Sequence, residues 1–239
     1  RVVQLARATG VPVLGDIELF ARAVNAAPAH ARPKVIGVTG TNGKSTTTAL
    51  IGHILNQTGK DARVGGNIGQ AVLDLPSLHT GAFYVLELSS FQLDLVSSLR
   101  CDVAVWINTA PDHLNRHGDM RSYTAAKKRI FANQGAGDWA VIGVDDDVCA
   151  SVCAELMAQG ARSVAPISAG QALSRGACVI GGKLVDAIGP RSESVVDLGD
   201  IASLQGRHNA QNAAAAYAAA RALRIDRREI AEAIPQIET

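Results

Sequence analysis

Between Lys34 and Gln57 the sequence reads KVIGVTGTNGKSTTTALIGHILNQ: an apolar strand, a turn punctuated by Gly40 and Gly43, and a run with helical periodicity. A strand that breaks at glycine and restarts at once as a helix confines the chain to folds in which helices cross over a mainly parallel sheet. The same alternation continues downstream. Short apolar runs at 62–69, 82–89, 102–108, 138–147 and 163–168 predict further strands, and 121–134, 206–223 and 226–234 predict helices, the last capped by Asp226. Two β runs about Gly181-Gly182 predict a hairpin and hence a small antiparallel patch. The expected fold is α/β: a doubly wound, mainly parallel sheet with flanking helices. In such sheets ligands lie outside the carboxyl ends of the strands, so the loops after residues 38, 88, 108 and 144 should converge.

The ends suggest a boundary. Residues 1–9 read as a helix and 10–24 as a short strand followed by a second helix, while the last residues follow a helix without a closing element. We read 1–33 as the remnant of a preceding domain with its connecting segment, and 34–239 as a central domain without the domain that would follow it.

Charge and composition exclude several classes. The 23 basic and 22 acidic residues leave a formal charge of +1 with no single-sign block, so neither nucleic acid nor an anionic membrane is an expected partner. No apolar stretch nears the roughly 20 residues of a membrane span, and the first residues lack a signal-peptide core. The expected location is cytoplasmic. Cys101, Cys149, Cys153 and Cys178 have no paired metal-binding spacing and read as reduced, packed thiols.

The turn itself, Gly40-Thr41-Asn42-Gly43-Lys44-Ser45-Thr46, has the parts of a triphosphate cradle. Glycines admit backbone N–H groups to the oxygens, the helix N-terminus adds partial positive charge, Lys44 neutralises the β- and γ-phosphates, and Ser45 can reach Mg²⁺. It departs from the G-x-x-x-x-G-K-[ST] pattern at Val38, where that pattern has glycine.

Five other stretches carry candidate site residues. Glu87 lies at the end of a core strand, followed by Ser89 and Ser90, and a carboxylate buried there wants a cation or donors. Asn67, in GGNIG, could offer an amide to a substrate or could sit in a plain glycine turn. Asp112 and His113 follow the next strand, as site residues or as a helix cap. Lys127 and Lys128 read from periodicity alone as solvated lysines. Asn209 and Asn212, three apart, share a helix face and could match the edge of adenine, with an N-cap role for Asn209 as the rival.

These stretches together resemble the Mur ligases, the ATP-dependent amide-forming enzymes of peptidoglycan precursor synthesis, whose relatives include folylpolyglutamate synthetase. TGTNGKST resembles their nucleotide loop, NTAPDHLNRHG their DHxDRH stretch with Asn115 in place of aspartate, SYTAAKK their modified-lysine helix, and GRHNAQN their GxHNxxN. ELSSFQL is similar to the form in the members that add D-glutamate to UDP-N-acetylmuramoyl-L-alanine. The resemblance implies ATP and two Mg²⁺ ions. It assigns Lys44, Glu87, His113 and Lys127 to catalysis; Ser45, Glu87, His113 and an N-carboxylated Lys127 to metal; Gly40 to Thr46 with Asn209 and Asn212 to the nucleotide; and Asn67, Ser89 and Asp112 to substrate. It also places Asp145 to Asp147 near the nucleotide and implies a monomer that is inactive without its neighbouring domains. The competing expectations are another amide-forming ligase of this type, a phosphate-loop NTPase switch, and a nucleotide-binding module.

Overall fold

The computed structural model describes residues 2–237; Arg1, Glu238 and Thr239, at the two ends of the expected domains, lie outside the described residues. Helices α1 (Val2–Ala8) and α2 (Asp16–Ala26) come first, then β1 (Lys34–Thr39), α3 (Lys44–Gln57), β2 (Asp61–Gly66) and β3 (Ala82–Glu87). They are followed by α4 (Ser90–Leu93), β4 (Val103–Trp106), α5 (Leu114–His117), α6 (Met120–Lys128), β5 (Trp139–Gly143), α7 (Asp147–Gln159) and β6 (Ser163–Ser168). The chain ends in β7 (Gly176–Ile180), β8 (Lys183–Ala187), β9 (Glu193–Asp197), α8 (Arg207–Ala222) and α9 (Arg227–Ala233).

All nine strands form one sheet in the order β2-β3-β1-β4-β5-β6-β7-β8-β9. Pairing is parallel from β2 across to β7 and antiparallel from β7 to β9. The expected α/β fold is thus present. The hairpin about Gly181-Gly182 is present too, but as the continuation of the main sheet with β9 added to it.

Both faces of the sheet are covered. Ile36 and Val38 of β1 join Leu50, Ile54 and the alanines of α8 in one core, while Val35, Tyr84 and Trp106 join Ile17, Phe20 and Phe131 in the other. From Gln211 to Ala220 every residue of α8 is buried, seven of the ten being alanine. Alanine has the highest helix propensity and no bulk, so this helix lies close against both α3 and the sheet.

Three expectations change. Residues 11–15 form no strand: Pro12 lacks a donor, and the segment pairs with neither edge of the sheet. Helix α6 gives way at Arg129 to a 3₁₀ turn, short of the predicted end at 134. Helix α7 and strand β9 arise where no element was expected.

Helix α2 docks through Glu18, which is fully buried. Its carboxylate accepts the backbone N–H groups of Ser97 (2.8 Å) and Ser98 (3.0 Å), both hydroxyls of that pair, and Arg22 Nε at 2.9 Å.

Candidate active site around the phosphate loop

Strands β3 and β4 lie on opposite sides of β1, so the crevice of this sheet opens where β1 ends. The loop from Gly40 to Gly43 fills that position. Thr41 N–H donates to the Asn108 carbonyl at 3.0 Å, and the Thr41 hydroxyl lies 3.2 Å from the Tyr123 hydroxyl. Gly43 caps α3 at φ 82°, the left-handed region, and a Cβ there would stand 2.1 Å from Asn212 Oδ1. Any other residue would be strained and would clash. The first turn of α3 carries no acidic residue of its own, so its N–H groups present partial positive charge to the loop. Lys44 Nζ donates to Thr41 O at 2.9 Å, and Thr46 is exposed beside it.

Glu87 ends β3 with 2% exposure. Its oxygens accept from Ser45 Oγ at 2.7 Å and Asn67 Nδ2 at 2.9 Å, while Asn67 N–H donates to Glu87 O. A buried carboxylate met here by neutral donors is thus joined directly to the loop. Ser89, next but one, caps α4 in a reciprocal box with Gln92.

Lys127 lies across the loop from Glu87. Of the adjacent lysines it is the buried one, at 1% exposure, whereas Lys128 turns outward to Glu155 at 2.6 Å. Lys127 Nζ donates to Gly40 O at 2.8 Å, lies 3.4 Å from Thr39 Oγ1 and sits 4.8 Å from the Tyr123 ring centroid. Burial, reinforced by the nearby Lys44 ammonium, brings its amine down to about 7. Asp112 and His113 stand on the loop after β4, roughly half exposed, with His113 Nε2 3.4 Å from Asp112 Oδ2 and its ring against Phe91. A hollow of about 250 Å³ gathers Lys44, Asn67, Ser89, Asp112, His113 and Lys127.

The other flank of the loop belongs to α8. Asn212, 3% exposed, accepts from Thr47 Oγ1 at 3.2 Å and donates to Asn209 Oδ1 at 3.3 Å; Asn209 Nδ2 in turn meets Ser203 O and Gln205 O. Asn212 thus packs against Gly43 and the first turn of α3, while Asn209 is tied to the segment before α8. A second hollow, of about 330 Å³, opens beside it between Asn42, Asn108, Asp145, His208 and Gln211.

Sequence reasoning missed Tyr123, Asn108 and Gln211. Tyr123 was detectable, since it precedes Lys127 by four residues and so shares its helix face. The two amides carry no such signal.

Among the described residues no three His, Cys, Asp or Glu side chains converge as a metal cage. The Ser45 hydroxyl and Glu87 carboxylate are instead the sparse, hard oxygen set that suits Mg²⁺ shared with phosphate. The Lys127 amine could complete a second such set with His113 only after conversion to an anion.

Residues 38–220 match the profile of the Mur ligase middle domain. The chain belongs to the Mur ligase family. It is 60% identical over 232 residues to the UDP-N-acetylmuramoylalanine--D-glutamate ligase of Caulobacter vibrioides (strain NA1000 / CB15N), covering 97% of this chain and 49% of that protein. It is 62% identical over 220 residues to the protein of the same name from Caulobacter sp. (strain K31), covering 92% of this chain and 47% of that one. The chain thus spans about half the length of the curated relatives it matches. Among solved family structures, a UDP-N-acetylmuramoyl-L-alanyl-D-glutamate--2,6-diaminopimelate ligase superposes with a TM-score of 0.72 at 25% identity, over 93% of this chain and 50% of that one. The Neisseria meningitides UDP-N-acetylmuramate:L-alanyl-gamma-D-glutamyl-meso-diaminopimelate ligase shares the fold, with a TM-score of 0.66 at 19% identity over 100% of this chain and 75% of its own.

Proposed function

We propose that residues 34–239 are the central nucleotide-binding domain of a cytoplasmic, monomeric ligase, with residues 1–33 joining it to a preceding domain. The ligase uses ATP to add D-glutamate to UDP-N-acetylmuramoyl-L-alanine. The observation that carries this reading is Lys127: a buried amine, held near neutrality, beside the backbone of a phosphate loop whose other side carries a buried glutamate. A switch or a simple nucleotide module has no use for such an amine.

The terminal carboxylate of the sugar peptide attacks the γ-phosphorus, ADP leaves, and the acyl phosphate is then attacked by the amine of D-glutamate, releasing inorganic phosphate and a proton. Both reactants of the first step are anions, so the barrier falls chiefly through charge neutralisation and alignment. The loop N–H groups and Lys44 receive the β- and γ-phosphate oxygens at the positive end of α3. Asn67, Ser89 and Asp112 line the approach of the carboxylate, and Asn209 and Asn212 stand on the flank that receives the base.

The neutral form of Lys127 can attack carbon dioxide through nitrogen, forming the N–C bond and releasing a proton to solvent; the resulting carbamate replaces a cation with an oxygen anion. Mg²⁺ at Ser45 and Glu87, and at His113 and the carboxylated Lys127, would supply further positive charge to the phosphate oxygens.

The test is phosphate release from Mg-ATP by the full-length protein with UDP-N-acetylmuramoyl-L-alanine and, in turn, D-glutamate, L-glutamate, L-lysine and glycine. Only D-glutamate should accelerate release. Acceleration by another acceptor would transfer the chain to a different ligase, and release indifferent to all four would make it an NTPase.

A further inference from the structure

A line of polar groups runs from the phosphate loop to the end of β6, and its direction is fixed at one end. Asp145 accepts from Ser168 Oγ at one carboxylate oxygen, and from Ala169 N–H (2.8 Å) and Gln211 Nε2 (3.0 Å) at the other. A carboxylate offers no proton, so Gln211 must turn its NH₂ to Asp145 and its oxygen away. That oxygen accepts from Asn108 Nδ2 at 2.9 Å, which leaves Asn108 Oδ1 to accept the backbone N–H of Asn42, also at 2.9 Å. Reversing either amide would set donor against donor or acceptor against acceptor.

The site is also tight. Gln211 is 6% exposed, and a Cβ on Gly143 would stand 3.3 Å from Gln211 Nε2 and 2.0 Å from Ile107 O. Gly143 thus leaves the room in which the Gln211 amide sits, and a side chain at that position would press on it.

We propose that Asp145, Gln211 and Asn108 form a directional relay that presets the phosphate loop, with Gln211 as the positioning residue. By engaging the Asn42 N–H, the relay fixes the Thr41–Asn42 peptide plane, and with it the entry of the chain into the turn whose remaining N–H groups meet nucleotide. An amide relay suits this task because it fixes direction without adding a cation beside Lys44. The inference rests on the reading of residues 40–46 as a nucleotide cradle.

The experiment is a double-mutant cycle in the full-length protein with Gln211→Met, Asn108→Ala and the pair, reading the Kd for Mg-ATP and for UDP-N-acetylmuramoyl-L-alanine by calorimetry. Each single change should weaken Mg-ATP about tenfold, equivalent to about 1.4 kcal/mol. The double should weaken it by no more than that, since either change breaks the same chain. Binding of the sugar peptide should be unchanged.

The relay is overturned if the singles bind Mg-ATP within about twofold of wild type. It is equally overturned if their effects multiply to about a hundredfold, as two independent contacts to the base would, or if both ligands weaken alike, as general damage would. If Gln211→Met does not fold, Asn108→Ala alone must still meet the Mg-ATP criterion, with the sugar peptide as control. Wild-type protein that binds no Mg-ATP would overturn the cradle itself, an outcome distinct from normal binding that the variants leave intact.

Discussion

Two charged side chains are buried almost equally in this molecule, Glu18 at 0% exposure and Lys127 at 1%, and their surroundings could hardly differ more. Glu18, where α2 docks, receives two backbone N–H groups, two hydroxyls and a guanidinium. Burial alone would raise its carboxyl, but the Ser97 and Ser98 N–H groups, with Arg22 and the Ser97 hydroxyl, bring it down to about 2. Lys127, at the phosphate loop, has one close carbonyl, a distant hydroxyl, an aromatic face and another lysine nearby. One charge is stabilised by its site and the other is destabilised by it. A fold that only needed to be stable would not keep an amine so poorly compensated, so the second arrangement points to chemistry and the first to architecture.

Lys127→Met is the most severe way to break the comparison. It removes the amine while keeping most of the unbranched stem, so turnover of the full-length protein should fall by about 10²–10³-fold, the scale of losing one preorganised charge. The thermal midpoint should hold or rise, because an apolar side chain replaces a poorly compensated charge. A lost fold would show Lys127 to be structural. Glu18→Ala should do the reverse: with Ser97 and Ser98 left unpartnered, chemical denaturation should show a loss of about 3 kcal/mol, and turnover of the folded fraction should be unchanged. A change in kcat at a temperature where the variant is fully folded would contradict the division.

The sheet and its crevice were visible in the sequence, whereas the contrast between the two buried charges was not, for a physical reason. The strand, glycine turn and helix from Lys34 to Gln57 announced both the sheet and its crevice, because glycine spacing and the Lys44-Ser45 pair are local features. Lys127 and Lys128 could not be separated without the family resemblance, since α6 lies against the core at an angle that tertiary packing alone decides. β9 alternates too weakly to announce itself, for its residues are half exposed at the sheet edge. The Asn209 and Asn212 pair shows the opposite limit: the shared face was legible, but its neighbour, the loop at Gly43, lies far away in sequence. Gln211 and Asn108 act through partners on separate elements, and no spacing along the chain encodes that. Glu18 is similar, being one acidic residue on an amphipathic helix until Ser97 and Ser98 come to meet it.

The smallest effect is the most discriminating, because the two sites should respond to pH in separate windows, one through a burial cost that is relieved and the other through a contribution that is lost. For Lys127 the folded value of about 7 lies below the ordinary 10.5. Below pH 7 both folded and unfolded chains hold the proton, and the full cost of burying it is present. Between about 7 and 10.5 the unfolded chain holds more protons than the folded one, so stability rises with pH, by at most about 1.4 kcal/mol per unit. For Glu18 the folded value of about 2 lies below the ordinary 4.5, so its contribution is complete above 4.5 and is lost as pH falls toward 2. The gap in unfolding free energy between Lys127→Met and wild type should therefore be largest and constant below pH 7 and narrow as pH rises from about 7 toward 10.5, while that of Glu18→Gln should close only under acid. Carboxylation of Lys127 removes the ammonium from the folded state, so the first slope belongs to protein freed of carbon dioxide. If it is absent there, the amine is better compensated than its neighbours suggest, and the contrast between the two buried charges fails at its functional end.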